Sequence, residues 1–242
     1  MMLVAVKIKN AIESLPKGEV FDYARLGIDR ENYLSAAKAL ERLQKKQVII
    51  KISKGVFYNP KPSVFGELGP DTNSILQQIL FKNNKRVAYI TGYSLYNQMN
   101  LTTQNSFVYE IASYNRKTYP KIGGLNIKPV RSYVPVNDTN FELLGLLDAI
   151  KDINRIPDTP KELLIQMFIT KLKKLGENER GQIIELALQY PPRVRALLGA
   201  LIELSGVIIN IEPLQNSLNP LSLYKFNFTD SSLPNRKNWN IE

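Results

Sequence analysis

Two short apolar runs, residues 48–52 and 56–58, flank Ser53-Lys54-Gly55, and this pattern constrains the first sixty residues most. The first run is rich in β-branched side chains, which suit a strand. Gly55 is free to take the positive φ of a tight turn, so a hairpin is expected here, closed by Pro60 and Pro62. Upstream, Val4, Ile8, Ala11, Ile12 and Leu15 recur at helical spacing, and Pro16-Lys17-Gly18 stops that helix. A short helical segment over 21–26 turns at Gly27, and Asp29 offers an N-cap for a long helix over 30–46. Helix, short helix, long helix, strand, turn, strand is the layout of a winged helix-turn-helix.

The fold class expected for the whole chain is α+β. The winged helix spans 1–62, and a mixed α/β region follows over 63–242, strand-rich over 63–140 and helix-rich over 141–242. A linker is expected over 61–70. Helices are expected over 72–81, 92–99, 141–153, 161–175, 180–189 and 192–205, and strands over 87–90, 106–113, 125–130, 207–211 and 223–228. Of 242 residues, none is His or Cys, which excludes disulfides, thiol nucleophiles, Ser-His-Asp triads and cysteine-ligated metals. No apolar run reaches the roughly 18 residues of a membrane span, and the start lacks a secretory pattern. A soluble, cytoplasmic protein is expected.

Charge is distributed unevenly. Residues 1–62 carry 12 Lys+Arg and 6 Asp+Glu, a net of +6. Residues 63–140 carry 8 and 4, and residues 141–242 carry 12 of each. The excess of +10 therefore lies wholly in the first 140 residues, as in a nucleic-acid-binding module joined to a neutral domain.

On the helix 30–46, Tyr33, Ala36, Leu40 and Leu43 form a stripe expected to face the core. The opposite face then carries Asn32, Ser35, Lys38, Ala39, Arg42 and Lys46. Small and polar groups at Asn32, Ser35 and Lys38 suit an approach to base edges, and Arg42, Lys45 and Lys46 suit phosphate neutralisation. At the turn, Ser53 and Lys54 would reach a neighbouring phosphate or the minor groove. These eight residues are the expected DNA contacts.

Signs of catalysis are absent. No G-x-G-x-x-G or G-x-x-x-x-G-K-[ST] loop occurs, and no [Asp/Glu]-x-Lys triplet of a metal-dependent nuclease. Asp148 and Asp152, at i and i+4 with Lys151 and Arg155 beside them, read as a solvated helix face rather than a metal site. No catalytic residue, metal or cofactor is expected.

Beyond the hairpin the chain carries Phe65-Gly66-Glu67-Leu68, Tyr89-Ile90-Thr91-Gly92-Tyr93-Ser94, Leu101-Thr102-Thr103-Gln104 and Gly123-Gly124-Leu125. Further on come 146–152 (LLDAIKD), 190–199 (YPPRVRALLG) and Leu218-Asn219-Pro220. With Leu15-Pro16-Lys17-Gly18, Ala39-Leu40-Glu41-Arg42-Leu43 and Ser53 to Tyr58, these make the chain resemble, nearly end to end, the AbiEi-type antitoxins of type IV toxin–antitoxin systems. It departs at Asn100 and Gln47, where glycine is expected. The resemblance implies a repressor of its own operon that also counters a nucleotidyltransferase-like toxin. It leaves open whether antitoxin and toxin touch. A single winged helix reads few base pairs, so two copies on operator DNA are expected. Tyr190, Arg193 and Arg195 are its candidate antitoxin surface. The arginines project from a helix start, where the dipole disfavours cations, so a buried carboxylate or an anionic ligand is the expected acceptor. A plain winged-helix regulator with a ligand- or protein-sensing C-terminal domain is the alternative, and a metal-dependent nuclease is the third reading.

Overall fold

The computed structural model describes residues 2–64, 66–115 and 123–242. Phe65 and the basic stretch of Arg116, Lys117 and Lys121 lie outside the described residues. Those described form a mixed α+β protein with nine α-helices and several small sheets. The chain divides into two compact units, one of Met1–Arg86 with Thr118–Ile127, the other of Val87–Lys117 with Lys128–Glu242. No helix among the described residues is long and apolar enough to cross a membrane.

In the first unit, α1 (Met2–Ser14) and α2 (Tyr33–Lys45) share an apolar core with a three-stranded antiparallel sheet. Its strands are β1 (Val20–Asp22), β2 (Ile50–Ser53) and β3 (Val56–Tyr58), in the order β1-β3-β2. Ile8, Ile12, Phe21, Ala36, Leu40, Ile49 and Phe57 fill that core. The expected short helix over 21–26 is replaced by β1 and a turn, because residues 20–22 pair with 56–58 (Val20↔Tyr58, Asp22↔Val56). Only a single helical turn follows, with the Leu26 amide donating to the Asp22 carbonyl at 3.3 Å. Asp29 is extended (φ −69°, ψ 150°) and makes no side-chain cap, and a 3-10 turn at Arg30–Asn32 leads into α2.

Buried Asn59 fastens the end of α1 to the sheet. Its side chain donates to the carbonyls of Leu15 and Ile12 and accepts from the Lys17 ammonium at 2.8 Å. At the other helix, Gln47 has φ +56°. Its amide donates to the Gln44 carbonyl, and the Val48 amide to Leu43. This is the Schellman end of a helix, whose left-handed residue is ordinarily glycine.

The boundary of the first unit does not fall at Pro62. The expected linker 61–70 contains a hairpin of β4 (Lys61–Ser63) and β5 (Gly66–Leu68). After it, α3 (Thr72–Leu80) docks on β1: Ser74 Oγ accepts from the Val20 amide at 2.7 Å, and Gln78 donates to the Val20 carbonyl. Asp71 caps α3 by accepting from the Ser74 amide. A short hairpin, β6 (Phe81–Lys82) with β7 (Lys85–Arg86), completes this part. Gly123, at φ +57°, lies against Ile75 of α3, where a Cβ would overlap that side chain.

The second unit opens with β8 (Ala88–Thr91), α4 (Gly92–Gln98), β9 (Val108–Ser113) and β10 (Asn126–Arg131), and β9 lies between β8 and β10. The helices are α5 (Phe141–Lys151), α6 (Lys161–Lys173), α7 (Glu177–Ala187), α8 (Pro192–Ser205) and the short α9 (Glu212–Asn216). Every residue of α5 from Leu143 to Ile150 is buried, so this helix runs through the core rather than along its surface. Gly199 of α8 allows the Trp239 ring to lie directly on the helix, and the indole nitrogen donates to Glu203 at 2.6 Å. The strands expected over 207–211 and 223–228 do not form. Residues 223–228 make only an isolated bridge, Tyr224↔Ile241, yet Phe226 and Phe228 are buried as their alternation suggested.

Within α5, Asp148 is 2% exposed, which overturns the solvated face expected there. Its Oδ2 accepts from the Tyr89 hydroxyl and from Thr91 Oγ1, each at 2.8 Å. Its Oδ1 accepts from Lys151 Nζ at 2.8 Å and from the Tyr190 hydroxyl at 3.3 Å. The Tyr96 hydroxyl donates to Asp152 Oδ2 at 2.8 Å, one turn along. Burial, and then the Asp148 charge, push the Tyr89 and Tyr190 phenols far above the ordinary tyrosine value; burial and then Asp152 do the same for Tyr96. Burial lowers the Lys151 ammonium, but the Asp148 charge and hydrogen bond outweigh it, and its pKa is raised.

Two outcomes follow. Gln47→Gly should stabilise the protein by about 0.5–1 kcal/mol, since it relieves a left-handed side-chain conformation; an unchanged urea midpoint would contradict that placement. All four raised groups favour the protonated state of the fold, so their contribution is complete below about pH 10 and is lost as pH rises beyond it. In an alkaline titration followed at 295 nm, Tyr89, Tyr96 and Tyr190 should ionise only together with loss of near-ultraviolet circular dichroism. Phenylalanine replacement of each should remove its share of that late step. Ionisation of all twelve tyrosines in one ordinary step, with the fold intact, would contradict the network.

Candidate nucleic-acid interface

The core stripe of α2 consists of Ala36, Ala39 and Leu40, with half-buried Leu43 packed against the same cluster. It is rotated from the expected one. Ala39 is buried rather than outward, and Tyr33 is 41% exposed rather than in the core. The Tyr33 ring meets Tyr23 instead, with centroids 5.1 Å apart. Leu34, Ala37, Lys38, Glu41 and Lys45 therefore occupy the exposed face. Arg42 and Lys46 are exposed beside them, while Asn32 and Ser35 are half-buried on a flank.

Of the eight expected contacts, Lys38, Arg42, Lys45, Lys46 and Lys54 are exposed, and Ser53 is half-buried. Lys45 is engaged with Glu41 at 3.0 Å, and that ammonium holds the Glu41 carboxyl below its ordinary value. Lys38, Arg42, Lys46 and Lys54 form no salt bridge among the described residues. Arg30, ahead of α2, and Lys51, on β2, are also exposed cations. Sequence reasoning passed over both, although each falls within the segment of net +6.

The hairpin tip lies beside the start of α2. Gly55 takes φ +74° between Lys54 and Val56, and a Cβ there would sit 3.6 Å from the Tyr23 ring. Tyr23 in turn meets Tyr33, the first residue of α2. One aromatic ring thus spaces the turn carrying Lys54 from the helix carrying Lys38 and Arg42. Chemically the surface offers long cations at a helix and an adjoining turn, with no set of carboxylates among them to hold a metal.

The structure divides the second candidate surface. Tyr190 is not on the surface: it is buried, bonded to Asp148 and tilted against Tyr133 at 4.2 Å. Arg193 is exposed, with its guanidinium 4.5 Å over the Phe226 ring. Half-buried Arg195 donates from Nη1 to the Ser217 carbonyl at 3.2 Å, and its Nε is buried without a partner among the described residues. Among the described residues the partners are thus a ring and a carbonyl rather than a buried carboxylate, the first of the two expected acceptors; the second, an anionic ligand, would find Arg193 exposed. Lys161 reaches the same place, donating to the Phe226 carbonyl at 2.6 Å.

Comparison with known proteins adds the following. No curated protein matches the chain. Among solved structures, the crystal structure of the RV2827C protein from Mycobacterium tuberculosis aligns over 89% of this chain and 80% of that one, at 12% identity and a TM-score of 0.49. A family of unknown function, DUF6088, matches residues 7–137, which is more than half of the 242, and the chain belongs to that family.

Proposed function

We propose that the first unit is a winged helix that binds duplex DNA, with α2 as its recognition helix and the β2–β3 hairpin as its wing. The observation that carries this reading is the set Lys38, Arg42, Lys46 and Lys54. Four exposed cations without salt-bridge partners among the described residues sit on a helix and on a turn that Tyr23 holds next to that helix. Exposed lysines cost nothing in water, but phosphate contacts by such groups release counterions and supply most of a DNA-binding free energy. The order of β1-β3-β2 behind α2 supports the same reading, because a winged helix backs its recognition helix with such a sheet.

The wider role we propose is that of an antitoxin which represses its own operon in the cytoplasm and counters a nucleotidyltransferase-like toxin. Its support is the sequence resemblance to AbiEi-type antitoxins. A single winged helix reads few base pairs, so two copies on paired half-sites are part of this reading. No catalytic step belongs to it.

Mobility shift of the upstream duplex at several salt concentrations tests the DNA reading. Lys38→Ala and Lys54→Ala should each reduce the slope of log K against log salt by about one. Unchanged affinity and slope in a folded double variant would contradict it. The same full-length double variant, supplied in trans to cells making the toxin from an unrelated promoter, should still protect them while failing to repress. Loss of protection together with repression would contradict the separation of the two roles.

A further inference from the structure

The outward face of α2 begins with carbon rather than with hydrogen-bonding groups. Leu34 is 83% exposed, Tyr33 beside it is 41% exposed, and Ala37, one turn on, is exposed as well. A lone exposed leucine is ordinary. Here three apolar side chains are contiguous on the first turns of one helix, at i, i+1 and i+4. Cations outnumber carboxylates around them: Arg30 precedes them, Lys38 and Arg42 follow, and Lys54 lies across Tyr23, against exposed Glu31 and Glu41, the latter paired with Lys45. A patch with that rim suits a polyanion that also presents apolar groups. The side chains available there also limit how bases could be read. Readout of guanine uses Arg or Lys, and bidentate readout of adenine uses Asn or Gln. Between Tyr33 and Glu41 the exposed face offers no Arg, Asn or Gln, and its side-chain donors are Lys38 and the Tyr33 hydroxyl. In the major groove, the apolar feature that a leucine or an alanine can meet is the C5-methyl group of thymine.

We infer that Leu34, with Tyr33 and Ala37, recognises thymine methyl groups in the major groove, so that these methyls help to specify the preferred duplex. This rests on the reading of the first unit as a DNA-binding module. The small side chain of Ala37 lets the helix approach the bases, and Tyr23 fixes the Tyr33 ring at the edge of the patch. Lys38, Arg42 and Lys54 hold the backbone and supply affinity irrespective of sequence.

The test uses the full-length protein and duplexes selected from a random pool, each synthesised with thymine and again with uracil. The exchange removes only the methyl groups and leaves base pairing and charge as they were. The wild type should bind the thymine form more tightly by about fourfold per contacted methyl, the equivalent of about 0.8 kcal/mol each. Leu34→Ala should lose that preference and keep its salt slope. Leu34 is exposed, so the variant should keep its thermal midpoint, and Leu34→Met should retain the preference. Equal binding of the two forms by the wild type would overturn the inference while leaving the DNA reading intact. So would a preference that persists in Leu34→Ala. A change of oligomeric state in Leu34→Ala, without any thymine preference, would assign the patch to a second copy of the chain. Failure to bind any duplex, even at low salt, would overturn the DNA reading itself and this inference with it.

Discussion

A carboxylate inside an apolar helix is a liability that the rest of a domain must answer. Leaving Asp148 ionised and unpaired in the middle of α5 would cost several kcal/mol. Four donors from three parts of the chain meet it: Tyr89 and Thr91 on β8, Lys151 one turn along α5, and Tyr190 just before α8. Each donor needs its element in one place, so the charge specifies where the sheet, the central helix and the α7–α8 turn must lie. Dispersion and burial along α5 and α8 supply the bulk of the stabilisation, since both helices are apolar over most of their length. What the carboxylate adds is a unique register, because a slipped arrangement would strand both the charge and its donors.

The first unit treats its polar groups differently. Inside, Asn59 has its amide and carbonyl engaged with α1 and Lys17, and α3 closes the edge of β1 through Ser74 and Gln78. Outside, Lys38, Arg42, Lys46 and Lys54 stand without salt-bridge partners among the described residues, and apolar groups at Leu34 and Ala37 face water. Satisfied interiors stabilise a fold. Unsatisfied, clustered exteriors are where a partner can gain free energy, which is why the functional reading rests on α2 rather than on Asp148.

Elements set by local periodicity were legible in the sequence. The helices at α1, α3, α5, α6 and α8 follow from apolar spacing, and the β2–β3 hairpin from its turn. Positive φ at Gln47 and Asn100, where the resemblance expects glycine, is another local feature visible in advance. Features that depend on distant partners were not. Residues 21–26 read as a short helix alone, but 20–22 become a strand through pairing with 56–58. Residues 223–228 alternate like a strand, but their neighbour is a short stretch around Ile241 that supports a single bridge. The α2 face was rotated because alanine reads equally well on either side of a helix, and because nothing local reveals that the Tyr33 ring meets Tyr23. Asp148 and Tyr190 are 42 positions apart, so one passed for a surface charge and the other for a surface aromatic. Their adjoining motifs, 89–94, 146–152 and 190–199, contain the donors and acceptor of one buried network, which explains why they stand out without forming a surface.

The central claim is that the chain meets DNA through α2 and the adjoining hairpin tip, not through the second unit. Amide hydrogen exchange of the full-length protein, with and without duplex DNA, tests it most directly. Slowed exchange confined to residues 30–46 and 51–56, with 141–205 unchanged, is the predicted result. Protection centred on the start of α8 around Arg193 and Arg195, with α2 unaffected, would contradict the account.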